Sequence, residues 1–163
     1  MDLFENKTVL ITGAASGLGR SVAIEISKNK GNLVLVDLNY EGLEETKKLC
    51  QGSSSVKLIN VDITDFDKLV SLLTNTCDCK EINSFVHCAG IPCIMPLKCI
   101  DYERYLKVMQ VNTFSALEIA KWFSNKRNHS DVDPNIVLFR QFMDWSVRLE
   151  ILHMLCRKVL FKV

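Results

Sequence analysis

Residues 8–19 read Thr-Val-Leu-Ile-Thr-Gly-Ala-Ala-Ser-Gly-Leu-Gly, and this stretch decides the fold. Residues 8–12 form a short, β-rich apolar run that ends at Gly13, which predicts a buried strand. Apolar residues then recur at helical spacing over residues 18–28, which predicts a helix. A strand that turns through a glycine-rich loop into a helix is the context in which such a loop binds a dinucleotide.

The loop residues have separate physical roles in this interpretation. Gly13 lets the chain turn sharply, Gly17 lets the backbone approach a pyrophosphate, and Gly19 permits close packing of helix on strand. The start of the helix, with Ser16 and Leu18, offers free N–H groups and the positive end of the helix dipole to phosphates. We therefore expect all five residues to bind the cofactor; the alternative is a purely structural turn.

A carboxylate follows the loop by about twenty residues. The second apolar run, residues 33–36, ends at Asp37. A carboxylate there accepts hydrogen bonds from the adenosine ribose and repels a 2′-phosphate, so we expect NAD in preference to NADP. Helix capping or a solvated strand end is the alternative role. Arg20 weakens the exclusion of NADP slightly, because a guanidinium near the loop can accommodate a phosphate.

The alternation of strands and helices continues to residue 139. Strands that are apolar throughout indicate a sheet covered on both faces, and helical crossovers make such a sheet parallel and doubly wound. The expected fold is therefore α/β and Rossmann-like, with one dinucleotide-binding domain over residues 1–139. The further predicted strands are 33–36, 56–61, 83–87 and 135–139, and the further helices are 40–50, about 65–75 and 100–125.

The character of the chain changes after Phe139. Residues 140–163 contain no Gly and no Pro, and their apolar residues follow alternating four- and three-residue steps. This spacing predicts an atypical helical tail packed on the sheet; a partner-binding helix is the alternative. The stripe consists of Trp145, Leu149, Leu152, Cys156, Val159 and Val163.

Composition excludes several classes of function. A net charge of +1 gives no reason to expect a nucleic-acid partner or a membrane surface. No apolar run reaches the roughly eighteen residues that span a bilayer, and the N-terminus has no signal-peptide pattern, so we expect a cytoplasmic protein. Seven cysteines are expected to be reduced thiols. The close pair Cys77 and Cys79 lacks further ligands, so no metal site is expected.

The spacing Thr-Gly-x-x-x-Gly-x-Gly resembles the short-chain dehydrogenase/reductase family, and the resemblance covers about residues 4–139. Asp62 stands where that family has an aspartate after the third strand. His87-Cys88-Ala89-Gly90 stands where the family has Asn-Asn-Ala-Gly, so its second half matches. Val111-Asn112 matches the family's helix asparagine.

The resemblance implies a role for each matching position. Asn112 would help to hold a water in the proton relay, and the helix at about 100–125 would pair subunits in a homo-oligomer. His87, which departs from the pattern, is interpreted as a core histidine rather than an acid or base. Asp62 and Asn112 have structural alternatives, a turn cap and a buried amide. Further cofactor contacts implied by the resemblance are Leu38, Asp62, Ile63, Cys88, Ala89, Gly90 and Val111.

The family's catalytic residues have no counterpart in this sequence. The family uses a serine after the fifth strand and a Tyr-x-x-x-Lys pair to move the proton during NAD-linked alcohol and ketone interconversion. No Tyr follows Tyr105, and none of the three tyrosines has a lysine four residues later. We therefore expect little or no activity, and a small-molecule alcohol or carbonyl substrate only in a full-length form. The alternative is a non-catalytic NAD-binding regulatory or partner module.

A reading-frame change near Phe139 is one hypothesis for the missing residues. Codons such as TTT-CGT-CAG-TTC for residues 139–142, read one nucleotide later, encode Phe-Val-Ser-Ser, the turn that the family has there. The expected architecture is accordingly truncated after about the fifth strand. The coding nucleotides test this: alternative frames without Ser-Ser and Tyr-x-x-x-Lys would contradict it.

Overall fold

Strands and helices alternate along the chain, and all five predicted strands are present. The computed structural model describes residues 3–53, 55–93, 97–99, 101–139 and 158–162. The strands are β1 Thr8–Thr12, β2 Asn32–Asp37, β3 Val56–Asn60, β4 Ile82–His87, β5 Asn135–Phe139 and β6 Lys158–Lys162. The helices are α1 Gly17–Lys28, α2 Tyr40–Leu49, α3 Phe66–Thr76, α4 Tyr102–Met109 and α5 Ser115–Phe123, with 3-10 turns at Cys79–Glu81 and Leu97–Cys99.

The sheet has the strand order β3-β2-β1-β4-β5-β6, and its first five strands are parallel. The chain runs outward from β1 to β3, then crosses to the other side of β1 to form β4. Thr12, the last residue of β1, therefore pairs with Val36 on one side and His87 on the other. The strand order therefore reverses between β1 and β4, and open α/β sheets bind ligands at the carboxyl ends of the strands where such a reversal occurs.

Each face of the sheet carries its own apolar core, which confirms the doubly wound α/β fold. Successive residues of β1 point to opposite faces, so Leu10 and Ile11 enter different clusters. Phe85 and Phe123 anchor the first cluster, with ring centroids 6.2 Å apart. Full burial of a large apolar side chain stabilises a fold by about 1.5–3 kcal/mol. The second cluster packs Ile11 with Ala23, Ile26, Leu33, Leu35 and Leu43.

The long helix predicted over residues 100–125 is interrupted. One turn of π-helix, called here the π-turn, lies at Gln110–Phe114 between α4 and α5. Asn112 lies in this turn and exchanges two hydrogen bonds with the backbone of Ile91: it accepts from Ile91 N at 2.8 Å and donates to Ile91 O at 3.0 Å. The helix is thus tied to the chain that follows β4, at a type of irregularity that is frequent at functional sites.

The predicted terminal helix is wrong for its last residues. Residues 158–162 form β6, which runs antiparallel to β5 with Asn135 opposite Lys162 and Phe139 opposite Lys158. A helix hydrogen-bonds within itself, whereas this segment satisfies the backbone groups along the outer edge of β5. The sequence Lys-Val-Leu-Phe-Lys is rich in residues that favour strands. The remainder of the predicted helix, residues 140–157 and 163, lies outside the described residues.

No helix within the described part of the chain is both long enough and apolar enough to cross a bilayer.

Candidate functional site

The loop after β1 packs directly on the chain that leaves β4. Gly13 has a φ of 69°, in the left-handed region that favours glycine. A Cβ there would lie 2.6 Å from Ala89 N and 2.7 Å from the carbonyl carbon of Cys88. Cys88 N donates a hydrogen bond to Thr12 O at 3.1 Å. The two strand ends therefore meet at the loop, as the predicted sharp turn at Gly13 requires.

The other two loop glycines face opposite environments. A Cβ on Gly19 would overlap Gly13 O, so the helix packs against the loop as closely as its backbone allows. Gly17 has a φ of 52°, and nothing lies within 4 Å of the position that its Cβ would take. Ser16 and Leu18, on either side, are exposed. The loop is thus packed at both ends and open to solvent at its middle.

The N-terminus of α1 differs from those of the next three helices. Asn39, Asp65 and Asp101 each cap a helix with a side-chain oxygen that accepts a backbone N–H. Ser16, the N-cap of α1, is extended and its side chain caps nothing. The first-turn N–H groups and the positive end of the dipole therefore face an exposed surface, an arrangement that suits an anion.

Asp37 lies beside the loop and is held in one orientation. Its Oδ2 accepts from Ala15 N at 3.0 Å, and its Oδ1 accepts from Asn39 N at 3.0 Å. A carboxylate offers about four lone-pair sites, so both oxygens keep capacity for a further donor such as a hydroxyl. Leu38, the next residue, is 68% exposed and lies at the same edge.

Arg20 does not have the environment that the sequence interpretation gave it. Its Nε donates to Thr46 Oγ1 at 3.0 Å, and its Nη2 lies 2.8 Å from Glu45 Oε2. Nη2 also donates to the carbonyl of Ala15. These donors face protein acceptors and bind α2 to the loop, so the prediction that this guanidinium accommodates a phosphate gains no support.

The segment after β3 presents a second carboxylate. Asp62 is exposed, and its Oδ1 accepts from Thr64 N at 2.9 Å and from Thr64 Oγ1 at 2.7 Å. These two bonds to the backbone and side chain of Thr64 lower the pKa of Asp62 below its usual range. Ile63 is buried and lines a cavity of about 210 Å³ between this segment and the π-turn. Asn60 Nδ2 donates to Leu38 O at 2.7 Å, which ties this segment to the end of β2.

His87 is a core residue, as predicted. It is 2% exposed, and its Nδ1 lies 2.9 Å from Thr12 Oγ1. Its Nε2 is buried without a hydrogen-bond partner. Burial lowers the pKa of His87 to about 4, so the ring is neutral near pH 7. The neutral ring bridges the ends of β1 and β4 beneath the loop.

The other half of the site holds fewer polar groups. Ala89 is partly buried and Gly90 is exposed, just before the Ile91 backbone that Asn112 holds. Val111 is partly buried beside Asn112, against the first core cluster. Tyr102 and Tyr105 are exposed on α4. The sequence supplies no Tyr-x-x-x-Lys pair to stand beside Asn112.

A larger cavity lies at the opposite end of the sheet. It measures about 660 Å³ and is lined by residues from the start of β3, the end of α3 and the turn before β4. Burial raises the pKa of Cys77, which lines it, to about 11, so this thiol stays protonated and unreactive near pH 7. Among the described residues, no group of three or more His, Cys, Asp or Glu side chains could hold a metal ion.

Sequence reasoning missed the polar contacts that hold the site together. The bond from Arg20 to Thr46 and the bond from Thr46 to the loop carbonyl of Ala14 join residues 26 and 32 positions apart, and no local pattern marks them. Asn39 was more accessible to prediction, because an Asn directly before a helical run is a common N-cap and its backbone N–H also holds Asp37.

Comparison with known proteins agrees with this architecture. The family model for short chain dehydrogenases matches residues 7–131. Estradiol 17-beta-dehydrogenase 11 from Homo sapiens is 32% identical over 129 residues, which are 76% of this chain and 43% of that protein. 17-beta-Hydroxysteroid dehydrogenase 13 from Mus musculus is 32% identical over 119 residues, 71% of this chain and 38% of that protein. The chain thus spans less than half the length of the curated relatives it matches.

Solved structures show the same fold. The citronellol catabolism dehydrogenase from Pseudomonas aeruginosa superposes with a TM-score of 0.68 at 27% identity, covering 77% of this chain and 52% of that one. A 3-oxoacyl-[acyl-carrier protein] reductase from Brucella melitensis, solved with bound NAD, superposes with a TM-score of 0.68 at 24% identity, covering 76% and 49%.

Proposed function

This chain belongs to the short-chain dehydrogenase/reductase family, and from that premise we propose that its residues 1–139 bind NAD(H) for alcohol and ketone interconversion in the whole protein. The observation that carries the proposal is the open middle of the loop at Gly17, next to the uncapped N-terminus of α1. Bound nicotinamide would supply the hydride acceptor or donor. The whole protein's substrate is an alcohol or carbonyl compound in this proposal.

The residues proposed to hold the cofactor lie along the carboxyl edge of the sheet. The loop would face the pyrophosphate with backbone N–H groups, and the Asp37 carboxylate would accept from the adenosine ribose. The adenine would lie near Asp62, and the nicotinamide half near the segment that follows β4. The complete proposed set is Gly13, Ser16, Gly17, Leu18, Gly19, Asp37, Leu38, Asp62, Ile63, Cys88, Ala89, Gly90 and Val111, with Asn112 as a member of the proton relay.

We propose NAD rather than NADP as the cofactor. The Asp37 carboxylate, held by Ala15 N and Asn39 N, would repel a 2′-phosphate on the adjacent ribose. The Nε and Nη2 donors of Arg20 face acceptors of α2 and the loop, which leaves fewer of its donors for a 2′-phosphate.

We propose that these 163 residues by themselves bind the dinucleotide without turning over an alcohol. Hydride transfer needs a group that gives or takes the hydroxyl proton, and no Tyr-x-x-x-Lys pair is present to do so. The absence of this pair favours a second candidate function for these residues alone, that of a non-catalytic NAD-binding module.

Titration of the purified chain with NADH, followed by fluorescence, tests the proposal. Saturable binding is expected, with weaker binding of NADPH under the same conditions. A screen of NAD-linked alcohol oxidation should give no rate above the protein-free blank. Failure to bind either dinucleotide would contradict the binding function, and steady turnover of any alcohol would contradict the proposed lack of activity.

Pairing of two copies through the helix at about 100–125 also stays a proposal. Four large apolar or aromatic side chains on this helix are exposed: Tyr102, Tyr105, Phe114 and Leu117. Sedimentation of the Leu117→Glu variant tests it: a dimer that becomes a monomer is expected, and an unchanged molecular mass would contradict it. The cytoplasmic location and the domain boundary after residue 139 likewise remain predictions.

A further inference from the structure

We propose that Arg20 is a positioning residue for the dinucleotide, which acts by holding the backbone of the glycine-rich loop and not by binding a phosphate. The inference rests on the proposed function, because it assigns a role within the same site. This role differs from the one that the sequence indicates, because a basic side chain next to such a loop is usually interpreted as a phosphate ligand.

The guanidinium of Arg20 joins the loop to α2 through several acceptors. Nε donates to Thr46 Oγ1 at 3.0 Å, and Nη2 donates to the Ala15 carbonyl and to Gly42 O at 3.4 Å. Nη2 also lies 2.8 Å from Glu45 Oε2, which places a compensating negative charge beside the cation. The side chain is 27% exposed, so most of the group is enclosed by the protein it holds.

Thr46 extends this connection into the buried side of the loop. It is fully buried, and its hydroxyl lies 2.9 Å from Ala14 O and 2.9 Å from Gly42 O. The hydroxyl can donate its one proton to either carbonyl while accepting from Arg20. Two loop carbonyls therefore face donors. Ala15 O accepts from Arg20 itself, and Ala14 O faces the Thr46 hydroxyl, which Arg20 orients.

Asp37 holds the same peptide segment from its other side. Ala15 N donates to Asp37 Oδ2 at 3.0 Å, whereas Ala15 O accepts from Arg20. Ala15 directly precedes Ser16 and Gly17, where the backbone turns into α1. Its orientation sets the direction of the N–H groups proposed to meet the pyrophosphate. Arg20 thus links the loop and the ribose-binding carboxylate into one rigid unit.

Packing leaves little room for the segment to move. A Cβ on Gly42 would lie 2.8 Å from Ala15 Cβ and 2.9 Å from Ala15 O, so α2 touches the loop at Gly42. Without Arg20, the Ala15 carbonyl of the loop and the Gly42 carbonyl of α2 would lose a charged donor while this close contact remained. A hydrogen bond from a charged group is stronger than one between neutral groups, so we expect its loss to loosen the loop locally.

Two variants separate positioning from phosphate binding. Arg20→Gln removes the charge, and Arg20→Lys keeps the charge but lacks the fork that reaches Thr46 and Glu45 together. We expect both variants to weaken NADH and NADPH binding by the same factor, about tenfold, with adenosine binding less affected because it has no pyrophosphate. Lys48→Gln, which removes a charge from the exposed side of α2, is the matched control and should leave binding unchanged.

The outcomes distinguish the two roles. A loss confined to NADPH, or normal binding by Arg20→Lys, would overturn the assignment in favour of a phosphate ligand. Thr46→Val should show the same pattern as Arg20→Gln to a smaller extent, with circular dichroism and thermal unfolding used to verify folding of every variant.

Amide hydrogen exchange without any dinucleotide keeps this test independent of the proposed function. Faster exchange of the amides of residues 14–17 in Arg20→Gln, relative to the wild type and Lys48→Gln, is expected. Unchanged exchange there would contradict the positioning role. Absence of NADH binding by the wild type would instead contradict the proposed function, so the two failures can be told apart.

Discussion

The two halves of the carboxyl edge of the sheet are built to different extents. On the β1–β2 side, Ala15, Asp37, Asn39 and Arg20 form one connected set of hydrogen bonds around an open loop. On the β4–β5 side, Asn112 exchanges two hydrogen bonds with Ile91, and the other polar contacts given above join His87 and Cys88 to Thr12 at the end of β1. The first half surrounds an open loop and an uncapped helix start, whereas the second has an oriented amide without a tyrosine–lysine pair to work with it.

In the proposed function, dinucleotide binding and proton transfer depend on separate lengths of chain. The proposed binding side is supplied by residues 8–64, which contribute the three adjacent strands β1, β2 and β3 and the helices between them. Proton transfer in the family needs groups that follow β5. This chain can therefore carry the residues proposed for dinucleotide binding without the tyrosine and lysine of the proton relay.

The largest expected effect comes from filling the contact between loop and helix on the binding side. Gly19→Val should destabilise the chain by more than about 3 kcal/mol, because its Cβ would overlap the Gly13 carbonyl. Gly17→Ala is the matched control: it is strained by its φ of 52° but meets open space, so a cost of about 1 kcal/mol is expected. Urea unfolding measures both; equal losses would mean that the contact does not hold the loop.

A pH-dependent effect tests the bridge between the two halves at His87. Its pKa is about 4 in the folded chain and about 6.5 when unfolded, so the unfolded chain binds the proton first as the pH falls. Stability should fall by about 3 kcal/mol between pH 7 and pH 4 through this group alone. His87→Asn should remove that part of the slope, and carboxylate titrations common to both chains cancel in the difference. Parallel pH profiles would contradict this account.

The effect of Asp37 on cofactor choice sharpens the comparison on the binding side. Asp37→Asn should raise the Kd for NADH about tenfold, since a charged acceptor is lost, and should lessen the preference over NADPH. Fluorescence titration with both nucleotides measures the change. Glu44→Gln, which lies on α2 and pairs with Tyr40, should leave both affinities as they are. A uniform loss for both nucleotides in Asp37→Asn would contradict repulsion of the 2′-phosphate.

The smallest effect is expected on the other half. Asn112→Ala removes two hydrogen bonds to Ile91 and should lower the free energy of unfolding by about 1–2 kcal/mol, with the Kd for NADH changed less than twofold. Thr113→Val, in the same π-turn, should be nearly neutral. Denaturant unfolding and NADH titration measure the two quantities. A large loss of NADH affinity would show that the halves are coupled.

The pattern of apolar residues predicted the strands of the parallel sheet, because each strand depends on residues that are adjacent in sequence. Apolar runs such as residues 8–12 and 135–139 became strands with the predicted bounds. The positions of the glycine-rich loop and of Asp37 at strand ends could also be predicted, because glycine spacing and the end of an apolar run are visible in the sequence. The π-turn at 110–114 could not, because it depends on a contact between Asn112 and a backbone twenty-one residues away.

The tail shows the limit of periodicity most directly. The four- and three-residue steps through Val159 favour a helix, yet residues 158–162 pair with β5. Hydrophobic spacing describes one segment at a time, whereas an exposed strand edge offers hydrogen bonds that only the assembled sheet provides. The contacts of Arg20 escaped prediction for the same reason: its acceptors on Thr46 and Glu45 lie on the next helix.

The uncapped start of α1 has a thermodynamic consequence. In α2, α3 and α4, a carboxylate or amide oxygen of the N-cap residue accepts a hydrogen bond from a backbone N–H at the start of the helix. The Ser16 side chain makes no such bond in α1, so the corresponding position is open to an anion. In the proposed function, a phosphate bound there would complete the helix as a side-chain cap does, and the free energy that holds α1 would then come partly from the ligand. The melting temperature should then rise with the logarithm of dinucleotide concentration. The thermal stability of the chain would therefore report how much dinucleotide is available to it.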